Sequence, residues 1–307
     1  MRVIDLENIN EAMNNETQFV LRCEEVFHDK VSAAAASILS AGSRPIVALT
    51  GPSGSGKTTT AMRLKDYLEN LGVQVCLLSM DNFFLPLDKR PPEATDWESP
   101  YCVNVDLLVS CIGQLMDGKE VDIPWYDFKT GSTGGYNKMQ GHKGCIVIAE
   151  GIHMLNPLIF DKIRGAATGV YVAPRTRILT NKDRVVRPEQ LRVARRLIRD
   201  YNTRGHSLRE TVERAESVNA GEVNYIRPYK NNAAVHIDSF HDYELCILAK
   251  YLGNIPNFRE ELTPEYMREH DLTDLVDVVE SVPPLHTTYV PLNSIVREFV
   301  GGSCYEY

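Results

Sequence analysis

Residues 51 to 60, GPSGSGKTTT, carry the clearest chemistry in this 307-residue sequence. They fit G-x-x-x-x-G-K-[ST] through Gly51, Gly56, Lys57 and Thr58, the spacing of a loop that wraps phosphate groups. Such a loop must aim successive backbone N–H groups inward, which needs residues tolerant of unusual φ/ψ. Gly51, Ser53, Gly54, Ser55, Gly56, Lys57, Thr58 and Thr59 are the candidate lining. A helix opening at Lys57 would add the positive end of its dipole. Lys57 would then reach the β- and γ-phosphates, and Thr58 would offer its hydroxyl to Mg²⁺.

Further groups stand where they could meet that phosphate. Asp81 follows the run VQVCLLS and Glu150 ends KGCIVIAEG, so both sit at the carboxyl ends of expected strands, where α/β folds bind ligands. Asp81 could take a proton from an attacking hydroxyl, or simply cap a turn. Glu150 could coordinate a metal or its water. Arg192, Arg195, Arg196 and Arg199 recur at helical spacing, with Glu189 as the one acid near the helix start. Unneutralised arginines beside a phosphate site would stabilise charge on a transferring phosphoryl group, and a mobile arginine-bearing lid is the expected arrangement. A guanine-reading N-K-x-D element is missing, because in TNKDR Asp183 comes one position early.

The elements that must position these groups alternate. A helix is expected over about 16–40, then a strand in RPIVALT, a helix from Lys57 to Leu71, a strand at 73–79 and a helix from Asn104 to Asp117. Strands at 143–151 and 168–174, an arginine-rich helix over 190–217, a strand at 233–239 and a helix in DYELCILAKYL follow. This rhythm predicts an α/β fold with a mainly parallel, five-stranded sheet flanked by helices. Beyond Pro256 the rhythm breaks, with two short helices expected in LTPEYMREHDLTDLVDVV and an extended, then helical, VPPLHTTYVPLNSIVREF. The division expected is a helical segment, 1–44, a catalytic domain, 45–252, and an extension, 253–307, covering the core or an interface.

Composition narrows the class. The sequence is 43% apolar and 24% charged with a formal net charge of −8, which argues against a general nucleic-acid binder. The polar start MRVIDLENINEAMNNE lacks a signal-peptide core, and the longest apolar segment, VSAAAASIL, is nine residues, too short to span a bilayer. Seven dispersed cysteines form no CxxC pair and read as buried thiols of a reducing compartment. A cytoplasmic protein with a small-molecule substrate is expected, without nucleic acid or membrane as partner and with homo-oligomerisation left open.

In order, GPSGSGKTT, SMDNFF, DWESP, IPWYDF, VIAEGI, RRLIRDYNTRGHS and YIRPYKNNAAVHI resemble the uridine kinase and phosphoribulokinase family of P-loop kinases. The matches cover about 45–252, and NSIVREFVGGSCYEY resembles the end of a bacterial subgroup of uridine kinase-like nucleoside kinases. The resemblance implies a P-loop NTPase fold of the nucleoside-kinase type and a kinase using ATP and Mg²⁺. Asp81 would be the general base, Lys57, Arg196 and Arg199 would assist transfer, and Thr58 and Glu150 would lie at the metal. Phe84, Glu98 and Tyr126, with Asp81, Arg199 and Arg204, would face the acceptor. Three positions that read the base in uridine kinases depart here, as Gly131, His206 and Arg214. A nucleoside is the expected acceptor. The alternatives are a sugar, sugar phosphate or polyol as acceptor, or a non-catalytic nucleotide-sensing module.

Overall fold

The computed structural model describes residues 2–42, 44–180 and 184–307; Asn181, Lys182 and Asp183 of the TNKDR stretch lie outside them. Five strands form the central sheet: β1 (Ile46–Thr50), β2 (Val75–Ser79), β5 (Ile146–Glu150), β6 (Ala167–Ala173) and β7 (Val235–Asp238). Between β2 and β5 the chain makes an antiparallel hairpin of β3 (Glu120–Asp127) and β4 (Ser132–Gln140). The sheet order is β7-β6-β1-β5-β2, every pairing parallel. β1, β5 and β6 are buried along their whole length, which is why they read as unbroken apolar runs.

Alternation of side chains across the pleat divides the core. Val47 and Leu49 of β1 join Ile148, Val170 and Val172 on one face, whereas Ile46 and Ala48 join Cys76, Leu78, Val147 and Ala149 on the other. The first face is covered by α1 (Glu16–Ser40), α2 (Lys57–Asn70), α4 (Pro188–Arg199) and α6 (Glu244–Gly253). α3 (Val105–Met116) covers the second through Leu108, Cys111, Ile112 and Leu115.

Several elements differ from expectation. The helix expected over 190–217 is two: α4 ends at Arg199, a π-helical turn spans Asp200–Arg204, Gly205 adopts φ +67°, and α5 runs Leu208–Gly221. Ser207 starts α5 with a capping box to Glu210, a new nucleation point that the continuous charge pattern conceals. The two short helices expected in LTPEYMREHDLTDLVDVV form at Pro264–Glu269 and Thr273–Ser281, and an unexpected one, Phe258–Glu261, precedes them. The last helix, α7 (Ile295–Val300), packs beside the start of α2. Val3–Asp5, Arg177–Leu179 and Val185–Val186 make a separate small sheet. Among the described residues no helix is long and apolar enough to cross a membrane.

Candidate active site

The glycine-rich loop leaves β1 and enters α2 directly. Two glycines are required by geometry. A Cβ on Gly51 would lie 2.1 Å from the Val172 carbonyl oxygen, and Gly56 holds φ +79° as the N-cap of α2, a conformation costly for side-chain-bearing residues. The loop rests on α4: Arg195, completely buried, donates from Nη1 to the Gly54 carbonyl at 3.0 Å and from Nη2 to Glu244 Oε2 at 2.7 Å. Ser55 is buried and its Oγ has no hydrogen-bond partner among the described residues.

Carboxylates and cations converge on the loop. Asp81 lies in the 3₁₀ turn Met80–Phe83 that follows β2, and Glu150 ends β5 one strand away. Ser79 donates to Glu150 Oε1 at 2.8 Å, while the buried Oε2 has no partner among the described residues. Burial pushes Glu150 up to about 7 against the pull of Lys57. Burial acts to lower Lys57, yet the carboxylates of Glu150, Asp81 and Glu298 outweigh it and raise the lysine. The oxygens of Thr58 and Glu150 are hard donors that suit Mg²⁺, and Glu150 Oε2, without a partner among the described residues, is the atom such an ion would satisfy.

Asp200, 1% exposed, gathers the arginines: Arg199 at 2.8 Å, Arg204 at 3.3 Å and Arg196 at 3.8 Å. Three guanidinium groups on one carboxylate leave a surplus of positive charge. Burial lowers Arg196 to about 10, with Asp200 opposing. The cluster and the acids share one field, since Arg199 acts on Lys57 and Asp81 on Arg204. The other two arginines of the expected face do different work. Arg192 pairs with Glu222 and Arg195 with Glu244, all four buried. The neutralising acids that α4 lacks come from α6 and from the turn after α5, which helical spacing cannot reveal.

The side expected to face an acceptor is built of rings. Phe84 and Tyr126 have centroids 5.7 Å apart, and Phe128 lies 4.9 Å from Tyr126 and 5.4 Å from Phe84. Trp97 extends the row toward Phe128 at 6.4 Å, and the Arg90 guanidinium stacks 3.9 Å over Trp97. Arg90 also donates to the Tyr126 hydroxyl at 3.2 Å. Phe128 and Trp97 stand 53% and 45% exposed, an apolar face without protein cover. Gly131 abuts this wall, 3.7 Å from the Tyr126 hydroxyl at its would-be Cβ, and His206 pairs with Arg214 at 3.3 Å. Burial raises Glu98 to about 7 despite Arg196 and Lys57 nearby.

Expectation from sequence passed over Arg90, Trp97, Phe128, His153 and Glu298. The exposed rings of Trp97 and Phe128 sit inside the DWESP and IPWYDF stretches and were open to a composition argument. His153, three residues after Glu150, is wholly buried, and burial drives its pKa down to about 3 against the opposing backbone of Glu98. Its ring lies 6.3 Å from Tyr225, whose hydroxyl donates to Asp96. Nothing in the sequence marks that contact.

A profile described as the Phosphoribulokinase / Uridine kinase family matches residues 46–245. Uridine kinase of Brevibacillus brevis is 28% identical over 228 residues, 72% of this chain and 98% of that protein. Uridine kinase of Saccharomyces cerevisiae is 26% identical over 279 residues, 83% of this chain but 51% of its own length, so this chain spans about half of it. D-glycerate 3-kinase of Cryptococcus neoformans, among solved structures, covers 88% of this chain and 87% of its own at 18% identity and a TM-score of 0.34, a likeness too slight to argue from. With the match extending from the strand before the phosphate loop to the helix after the last sheet strand, this chain belongs to the phosphoribulokinase and uridine kinase family of phosphotransferases acting on a hydroxyl group.

Proposed function

We propose that this protein transfers the γ-phosphoryl group of ATP, with Mg²⁺, to a hydroxyl of a nucleoside. The observation that carries the reading is the gathering of Asp81 and the Arg199–Asp200–Arg204 cluster within one electrostatic field around Lys57 of the phosphate loop. The identity with uridine kinases over most of the chain supports it.

The loop amides and Lys57 would hold the donor phosphates, and Arg196 and Arg199 would neutralise charge on the phosphoryl group in flight. Asp81 would orient the acceptor hydroxyl and accept its proton as the oxygen attacks phosphorus and the bond to the β-phosphate oxygen breaks. Thr58 and Glu150 would hold the Mg²⁺. When bound, the ion screens charge between the β- and γ-phosphates. Glu98 and Arg204 would bind the sugar, and Phe84, Tyr126 and Phe128 would take the base by stacking, which tolerates many bases. Residues 45–252 would thus contain the catalytic machinery, with 253–307 closing over the donor end.

The exposed rings favour a nucleoside over a sugar or polyol, whose recognition would rest on hydroxyl-binding polar groups. The departures at Gly131, His206 and Arg214 leave its base unassigned. The test is ADP release with ATP and Mg²⁺ against nucleosides, pentoses, sugar phosphates and polyols. Turnover on nucleosides is expected. Turnover confined to non-aromatic acceptors would move the assignment to a sugar kinase, and none on any acceptor, with nucleotide still bound, would favour a sensing module.

A further inference from the structure

α2 begins inside the phosphate loop, so its first free amides are among the donors that a nucleotide phosphate needs. One is already taken by an anion. The Thr59 amide donates to Glu298 Oε2 at 3.3 Å and the Thr59 hydroxyl donates to the same oxygen at 2.6 Å. Glu298 comes from α7, 239 residues further along the chain. The segment is fastened around this contact. Ile295 presses on Gly56, Tyr307 shares a 3.0 Å hydrogen bond with Thr59 Oγ1, and Tyr305 donates to Asp66 at 2.6 Å. Phe299 lies under the Arg195 guanidinium at 4.9 Å, which ties α7 to the residue that holds Gly54.

We infer that residues 295–307 form a plug of the donor site, in which the Glu298 carboxylate occupies an anion position of the phosphate loop and leaves it when nucleotide binds. The inference rests on the reading of Gly51–Thr59 as a phosphate site. A phosphate oxygen and a carboxylate cannot both accept from one amide without facing each other as like charges. The carboxylate also lies in the field of the loop's cation, since Glu298 is among the groups that raise Lys57. Glu298 stands in for the ligand charge in the absence of nucleotide, so that the Thr59 amide and hydroxyl keep an acceptor. Linkage then makes tail docking and nucleotide binding mutually antagonistic.

Calorimetric titration with Mg²⁺ and a non-hydrolysable ATP analogue, on the full chain and its Glu298→Gln and Glu298→Ala variants, tests this. Both substitutions spare the apolar contacts of α7, and a thermal melt establishes that each variant is folded. Both variants are expected to bind the analogue on the order of tenfold more tightly than the parent chain. In the parent, amide hydrogen exchange over 295–307 should speed up when the analogue is added. Folded variants with unchanged or weaker affinity overturn the inference, as does a tail whose exchange slows or stays constant on binding. If neither parent nor variants bind the analogue, the reading of the loop falls as well.

Discussion

The phosphate loop and the aromatic wall, proposed as donor and acceptor sides, are built on opposite plans. The donor loop is clamped from below. Gly51 touches Val172, Gly54 accepts from the buried Arg195, and Arg195 is held by Glu244 and Ser239. The aromatic wall is open, with Phe128 and Trp97 about half exposed and Arg90 laid over the indole. Fixed dipoles are what phosphoryl transfer uses, since they lose nothing by reorganising during reaction. Acceptor choice needs shape and stacking surface, and those vary without disturbing the clamp.

Breaking the clamp should cost most. Arg195→Leu strips Glu244 of its buried partner, and a buried charge left alone costs about 3–5 kcal/mol. A large fall in melting temperature is expected, with nucleotide affinity lost alongside. Arg199 lies one turn further along the same helix, paired with Asp200 at 2.8 Å. Arg199→Gln should therefore leave the melting temperature nearly unchanged but lower kcat by roughly 10²–10³-fold, as for loss of one transition-state donor. Equal damage from both substitutions would erase the distinction between anchor and working arginine.

On the acceptor side, Phe128→Ala should raise KM for a nucleoside by an amount worth about 1–3 kcal/mol, the range for one stacked base, without altering KM for ATP. An equal rise for ATP would mean that the two sides are not separate. The smallest effect concerns Glu98. Its carboxyl is raised in the folded chain from 4.5 to about 7, so the folded state holds a proton that the unfolded chain releases. This contribution to stability is complete below 4.5 and disappears as pH rises through about 7. Glu98→Gln should flatten that part of the melting-temperature profile and leave stability below pH 4.5 the same.

What was legible in the sequence follows the same divide. GPSGSGKTTT, Asp81 and Glu150 could be read because strand, loop and helix are contiguous and each constraint is local. The hairpin β3–β4 was passed over because β4, STGGYNKMQ, is mostly exposed and carries no apolar alternation. Its two glycines lie beneath Trp125, where a Cβ on Gly134 would come within 2.2 Å of the ring. The indole supplies from β3 the cover that β4 does not encode. The partners of Arg192 and Arg195, and the docking of Glu298 on Thr59, join residues 30, 49 and 239 positions apart. No spacing rule reaches across such distances, because folding alone creates those contacts.

The proposed role of Asp81 is the claim on which the rest depends, and a single-turnover experiment addresses it directly. Phosphoryl transfer to a nucleoside would be followed from pre-bound ATP and Mg²⁺ in the parent chain and in Asp81→Asn, with ATP affinity measured on the same samples. The expected result is a transfer rate lower by roughly 10²–10⁴-fold, the range for a positioned general base, at unchanged ATP affinity. Transfer at the parental rate would contradict Asp81 as the base, and a parallel loss of ATP affinity would place it on the donor side instead.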